Sequence, residues 1–124
     1  MTTLTEGMHE GEFIGELAMG IGYHVDPVTV LSGQNLSAAT VVGKVTASGK
    51  YVAYDNVGTD DGRRTVAGIL VAAVNASGAD APGKALVRGP AIVNKNDLIW
   101  AAGIDASEKA AAITAMLALG IKAV

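Results

Sequence analysis

Apolar residues of the types that favour strands flank a polar turn in the middle of the chain, between residues 41 and 54. Two segments rich in Val, Thr and Tyr lie there on either side of Ser48 and Gly49. Such residues suit a pleated, half-buried strand, and glycine tolerates the positive φ that a tight turn needs. The pattern therefore predicts a β-hairpin.

Three further stretches have the composition of strands. Residues 28–30 are strand-like, and residues 66–74 are apolar on both faces, which predicts a buried central strand followed by a loop over residues 75–83. Residues 85–94 contain two short apolar segments separated by Gly89 and Pro90, where proline cannot donate to a strand ladder. We expect this last block to pair back onto the central strand.

One helix is predicted, from about residue 106 to residue 119. Asp105 followed three residues later by Glu108 has the spacing of a capping box, and Gly120 suits the position just after a helix end. Three apolar residues fall on one face of this helix: Ile113, Met116 and Leu117.

The N-terminal part of the chain has a weaker pattern. Residues 12–18 are compatible with a short strand, whereas residues 19–23 hold too much glycine for a helix. We therefore predict an extended N-terminal arm over residues 1–26 that is flexible when the protein is free, and a single β-rich domain over residues 27–124.

Length and composition exclude several classes of protein. A chain of 124 residues supports one domain with its own core, and the lack of cysteine excludes disulfides, thiolate zinc sites and cysteine nucleophiles. The longest apolar stretches, residues 66–74 and 110–121, fall well short of the roughly 20 residues that span a bilayer. Residues 1–6 have no pattern of a secretory signal. We expect a soluble protein that contacts no membrane.

Charge is distributed unevenly. Residues 1–43 carry five of the twelve acidic residues and none of the nine basic ones, in a chain whose net charge is −3. Such a balance, without a basic stripe and with few aromatic residues, argues against nucleic-acid binding. The acidic segment is either an arm for a basic protein surface or a solvated, flexible terminus.

Glycine-rich motifs in the chain are incomplete. Residues 78–84 have the glycine and lysine spacing of a phosphate loop, but Ala85 replaces the hydroxyl that binds magnesium, and a strand is predicted to follow. Gly20 and Gly22 lack the third glycine of a dinucleotide fingerprint, since Val25 holds that place. We therefore predict no cofactor.

The candidates for metal binding and catalysis are also weak. His9 has no second histidine at helical spacing, and both it and His24 are expected to be ordinary surface residues. A cation cage is improbable at the glutamates of the arm, because a mobile segment is not preorganised. Lys50 is expected to be a solvated turn lysine. We predict no catalytic and no metal-binding residues.

Seven segments, taken in their order along the chain, form a recognisable set: residues 11–14, 28–30, 32–34 with Leu36, 41–52, 67–70, 86–91 and 117–121. This set resembles the head decoration proteins of lambda-like tailed phages. The resemblance covers nearly the whole chain. Two places depart from the family pattern: residues 38–40, where a glycine is usual before the threonine, and the more apolar residues 19–24.

The resemblance implies a mainly β fold: a small β-clip-type domain with an extended N-terminal arm and one C-terminal α-helix. It implies a structural protein, not an enzyme, made in the host cytoplasm and located on the outer surface of the virion. Its partners would be two further copies of itself, as a homotrimer at three-fold and quasi-three-fold positions, and the major capsid protein of the expanded head. There it would cement the shell against the pressure of packaged DNA. The implied capsid-binding arm comprises Gly11, Glu12, Phe13, Ile14, Gly15, Glu16 and Leu17.

Two other classes remain open from the residues alone. A small β-barrel nucleotide hydrolase would need converging charged groups, for which the loop residues Asp55, Asp60 and Asp61 are the candidates. A carrier module would need a modifiable side chain, and Lys50 is the candidate for that role.

Overall fold

A closed five-stranded barrel forms the centre of the protein. The structure, a computed structural model, describes residues 13–17, 21–55, 60–101 and 103–124. The barrel strands are β2 Val25–Val30, β4 Val41–Lys44, β5 Tyr51–Ala53, β6 Val66–Leu70 and β8 Ala81–Leu86. They follow one another around the wall in the order β2, β5, β4, β6, β8.

The predicted hairpin is confirmed. Strands β4 and β5 pair antiparallel, with Gly43 opposite Val52. The turn closes through a 2.8 Å hydrogen bond from the Gly49 N–H to the Val45 carbonyl, and Gly49 has φ +72°. The positive φ explains why glycine occupies this position.

The prediction of one strand over residues 66–74 is only partly right. Strand β6 is buried on both faces as expected, and it pairs with β8 through Leu70 and Ala85. The chain then leaves the barrel, and β7 Val74–Ala76 pairs antiparallel with β3 Gln34–Leu36 in a separate two-stranded sheet. Residues 75–83, predicted as a loop, therefore include the end of β7 and the start of β8.

A second sheet lies beside the barrel and contains the N-terminal strand. Its order is β1 Ile14–Leu17, β9 Ala91–Val93, β10 Ile121–Ala123. Strand β9 and the end of β8 lie where two short strands were predicted around Gly89 and Pro90, and the peptide bond between those two residues is cis. The predicted pairing with the central strand is confirmed for β8, which pairs with β6, and is wrong for β9, which pairs with β1 and β10. Strand β10 runs parallel to β9, a pairing that requires a crossover connection, and the helix α2 Ala106–Ala118 supplies it.

Helix α2 begins and ends as predicted. The Asp105 carboxylate accepts a 2.8 Å hydrogen bond from the Glu108 N–H, and Gly120 has φ +82° after the last turn. Its buried residues are Ala112 and Met116. The face that meets the core is not centred on the predicted set of Ile113, Met116 and Leu117, because Leu117 is 57% exposed while Ala112 and Met116 are buried.

The described part of the chain also contains a single helical turn, α1 Ile21–His24. Sequence reasoning excluded a helix over residues 19–23 because of the glycines, and this exclusion is wrong for Ile21–His24. The turn packs against the barrel, where the His24 carbonyl accepts a 3.0 Å hydrogen bond from the Val87 N–H. None of the helices in the described ranges is long and apolar enough to cross a membrane.

The barrel wall has a hydrophobic cluster on each side. Neighbouring residues of one strand join different clusters, as Val41 and Val42 do, because successive side chains of a strand point to opposite faces. The first cluster lies among the barrel, the second sheet and α2: Phe13, Ala39, Val41, Tyr54, Val66, Ile69, Val71, Leu86, Ala91, Val93, Leu98, Ala112, Met116 and Ile121. The other includes the β3–β7 pair: Val28, Val30, Leu36, Val42, Leu70, Val74, Ala76 and Ala85. The fold is thus mainly β with one C-terminal helix, as predicted, while the β-clip assignment stays a prediction.

The close contact between Gly89 and Gly120 predicts that residue 89 cannot carry a side chain without loss of stability. A Cβ on Gly89 would lie 1.9 Å from the Gly120 carbonyl oxygen, which is backbone and cannot rotate away. We expect Gly89→Ala to destabilise the protein by roughly 1–3 kcal/mol or more. Denaturant unfolding measures this difference.

The matched control is Gly78→Ala, since no atom lies within 4 Å of a Cβ added there. We expect this variant to stay within about 0.5 kcal/mol of the parent. Equal stabilities of the two variants would contradict the close backbone contact.

Candidate functional site

Part of the predicted capsid-binding arm belongs to the second sheet. Gly11 and Glu12 lie outside the described residues. Strand β1 pairs antiparallel with β9, where Ile14 lies opposite Val93 and Leu17 opposite Ala91. The register is irregular between Ile14 and Glu16. The described part of the arm is therefore hydrogen-bonded to the body of the protein.

Phe13 anchors the start of this strand. Its side chain is fully buried in the first cluster, and its carbonyl accepts a 2.9 Å hydrogen bond from the Asn94 N–H. Burying such a side chain contributes roughly 1.5–3 kcal/mol. Ile14 and Leu17 are half-buried against the same cluster. The chain thus enters the body at Phe13, and this point fixes where residues 1–12 are attached.

Strand β1 is an edge strand. Because β9 is the middle strand of its sheet, β1 has a paired side towards β9 and no strand on its other side among the described residues. Edge strands carry backbone N–H and C=O groups that can pair with a strand of another chain. This part of the predicted arm is therefore suited to strand addition.

Arg88 fixes the segment that connects the arm to the barrel. Its guanidinium donates two hydrogen bonds to the Asp26 carboxylate, at 2.9 and 2.6 Å, and a third to the Tyr23 carbonyl. The same group lies 5.6 Å from the centre of the Tyr23 ring. The hydrogen bond from Arg88 holds the pKa of Asp26 below its ordinary value.

The buried imidazole of His24 belongs to the same group. Its Nδ1 lies 3.0 Å from the Arg88 carbonyl oxygen and donates to it, since a carbonyl can only accept. The expectation of a surface histidine is wrong for His24, which is fully buried. His9 lies outside the described residues. Sequence reasoning missed this junction, and no local signal could have found it, because Arg88 and Asp26 are 62 residues apart.

In the acidic loop that was considered for a hydrolase, the carboxylate of Asp61 pairs with a side chain of the same loop, Arg63. Both carboxylate oxygens of Asp61 accept hydrogen bonds from the Arg63 side chain, at 3.0 and 2.9 Å. This pairing lowers the pKa of Asp61 below its ordinary value, so the group remains ionised at neutral pH and is poorly suited to act as a general acid.

The remaining candidates also have structural partners. Lys50 forms an ion pair with Asp80, so the expectation of a merely solvated lysine is wrong. Asp80 also accepts a 2.8 Å hydrogen bond from the Ser32 N–H. Residues 78–80 connect β7 to β8, and residues 81–84 belong to β8 itself, so a strand and not the helix of a phosphate loop follows the glycine. Within the described ranges, no three His, Cys, Asp or Glu side chains are grouped as a metal site would require.

Comparison with known proteins decides between these alternatives. Residues 3–121 match the family model of the bacteriophage lambda head decoration protein D. The chain belongs to this family. No curated protein matches the chain. As a family member, the protein is a structural, non-enzymatic component that binds the phage capsid and sits on its surface. The resemblance inferred from the sequence is confirmed, and the hydrolase alternative is wrong.

The pair between Asp26 and Arg88 predicts a pH dependence in this decoration protein. Because the pKa of Asp26 is lower in the folded state, the pair stabilises the fold above the ordinary pKa of an aspartate, and this contribution is lost as the pH falls through the lowered value. We expect Asp26→Asn to be less stable than the parent at neutral pH and to match it in strong acid. Unfolding midpoints across this pH range measure the difference.

The control repeats the comparison in a protein that carries Arg88→Gln. Because Asp26 then has no partner at residue 88, Asp26→Asn should change the unfolding midpoint much less. The side chains are about 40% exposed, so added salt should reduce the difference. A difference that stays the same from neutral to acid pH would contradict this prediction.

Proposed function

We propose that this chain decorates the expanded phage head as a homotrimer at three-fold and quasi-three-fold positions, where it cements the shell against the pressure of packaged DNA. Membership of the decoration family is the observation that carries this proposal. The partner on the head is the major capsid protein. Each trimer bridges neighbouring capsid subunits and resists their separation.

The arm, residues 11–17 with the residues before it, engages the capsid in this proposal. Two features of the described part support that role. Phe13 is buried and gives the arm a fixed root, and β1 is the edge of its sheet. A capsid strand can then add to β1, or residues before Phe13 can add to a capsid sheet, by the same backbone hydrogen bonds.

Three arms on one trimer make weak contacts durable. Each backbone hydrogen bond of an added strand contributes roughly 0.5–1.5 kcal/mol net. Once one arm is bound, the other two bind at a high effective concentration. A loss of about 1 kcal/mol per arm would therefore approach 3 kcal/mol per trimer, roughly a hundredfold in occupancy.

Recognition is expected to depend on the state of the head. A cement should bind only the surface that maturation creates, so the unexpanded precursor should lack a complete binding site. In this proposal the expanded head and the unexpanded precursor differ in how capsid subunits are arranged around the three-fold position. Only the arrangement in the expanded head should match all three arms of a trimer.

The homotrimer is the first prediction of this proposal. We expect native mass spectrometry and light scattering to give three copies per particle, both for the parent protein and for the Gly78→Ala variant. A monomer at concentrations that saturate heads, together with no threefold clusters on decorated heads, would contradict it.

The second prediction concerns the arm. Removing residues 1–12 leaves Phe13 and β1 in place, so we expect unchanged unfolding of the body but a loss of binding to expanded heads of roughly a hundredfold. A proline at Ile14 is a poorer test, because Ile14 pairs with Val93 and packs against the core. Bound copies per head and the resistance of heads to heat are the measurements.

A matched variant keeps the length of the arm and replaces Glu6, Glu10 and Glu12 by Gln, which separates strand addition from charge. We expect this variant to bind expanded heads, and unexpanded precursors to bind neither protein. Full binding by the truncated chain would remove residues 1–12 from the mechanism, and wild-type protein that ignores expanded heads of its own phage would overturn the proposal.

A further inference from the structure

The sequence contains a single Asp-Gly pair, Asp61-Gly62, and the structure places it in the loop that folds over β4. Such a pair is chemically special, because glycine has no Cβ to obstruct the approach of its amide nitrogen to the preceding side chain. The carboxyl carbon of the aspartate can then be attacked by the backbone. Among the aspartates of the chain, Asp61 is therefore the one most open to conversion into isoaspartate.

The reaction needs only water. The Gly62 nitrogen forms a bond to Cγ of Asp61, and one carboxyl oxygen leaves with the amide hydrogen and a further proton as water, which gives a cyclic imide. Water then opens the ring. Opening at the side-chain carbonyl restores aspartate, whereas opening at the main-chain carbonyl leaves Gly62 attached to Cγ, as isoaspartate. No oxidant or reductant takes part.

The Arg63 side chain opposes the first step. Its Nε donates to Oδ1 of Asp61 at 3.0 Å and its Nη2 donates to Oδ2 at 2.9 Å, a two-point pairing that orients the carboxylate. The backbone N–H of Arg63 also lies 3.3 Å from Oδ1. An ionised carboxylate is a poor electrophile, and its oxygen leaves as water only after protonation. The pairing lowers the pKa of Asp61 and so keeps it ionised.

The backbone around Gly62 opposes the same step. The Asp61 carbonyl accepts a 2.8 Å hydrogen bond from the Thr46 N–H, and the Gly62 carbonyl accepts one of 3.2 Å from Thr65. Gly62 has φ +114°, and a Cβ added to it would lie 2.2 Å from the Lys44 carbonyl oxygen. The loop therefore has little room for the rotation that ring closure requires.

We propose that Arg63 protects the Asp61-Gly62 bond, and that Asp61 becomes a site of isoaspartate formation when this side chain is lost. Isoaspartate adds one carbon to the main chain between Asp61 and Gly62. The hydrogen bond from the Thr46 N–H to the Asp61 carbonyl and the close approach of Gly62 to the Lys44 backbone cannot both be kept after this change. The modification would thus release the loop from the end of β4.

The experiment compares the wild-type protein with Arg63→Ala during incubation at neutral pH and physiological temperature. Isoaspartate is measured by methylation with isoaspartyl methyltransferase, and it is located by peptide mapping in oxygen-18 water, since ring opening incorporates one labelled oxygen. We expect isoaspartate to accumulate at Asp61 several-fold faster in the variant than in the wild type. Equal rates would overturn the proposal.

Two further variants separate pairing from general loosening. Arg64→Ala removes a neighbouring positive charge and should retain the slow wild-type rate, whereas Arg63→Lys keeps the charge without the planar fork and should be intermediate. Wild-type protein unfolded in urea gives the unprotected rate. The proposal fails if folded wild type reacts as fast as unfolded wild type, or if Arg64→Ala reacts as fast as Arg63→Ala; circular dichroism shows whether each variant is folded.

Discussion

The close contact of two backbones, at Gly89 and Gly120, holds the barrel and the second sheet together. The Gly89 N–H donates to the Leu119 carbonyl at 2.7 Å, and the Ala91 N–H donates to the Gly120 carbonyl at 3.1 Å. The last barrel strand, the end of α2 and the start of β10 therefore meet at one point. Gly89 is needed there because a side chain on it would overlap the backbone of Gly120, and Gly120 is suited to its place because its φ is +82°. Strand β9 starts from this point and is paired on both sides, so the position of β1 depends on the same contact.

Local patterns in the sequence predicted the elements whose causes are local. The hairpin around Gly49 and the helix after Asp105 depend on a turn residue and a cap that lie within a few residues of the elements they control. The β3–β7 pair escaped prediction because β7 is only three residues long, too short for alternation to be distinguished from a loop. Leu117 shows a different limit, since apolar character alone does not reveal which side of a helix meets the core.

The candidate site was predictable only through the family resemblance. Composition and spacing indicate an acidic segment without a clear period, and nothing in them shows that Phe13 enters the core. That burial depends on β9 and α2, which come about 80 and 100 residues later in the chain. The pairing of Asp26 with Arg88 likewise joins residues that are far apart in the sequence. Long-range pairs of this kind are decided by the whole fold, and one sequence contains no local trace of them.

The exposed ion pairs of this protein matter more for geometry than for stability. Asp26 with Arg88, Asp61 with Arg63 and Lys50 with Asp80 lie where solvent and salt weaken their attraction. Two of them connect segments distant in sequence, and the third, Asp61 with Arg63, orders the turn of its own loop. The core supplies the cohesive energy instead. Its many valines and alanines lose little side-chain entropy on folding. A small, stiff body whose connections are fixed by ion pairs transmits force between its contacts with little deformation, and the proposed role of cementing the shell requires this property.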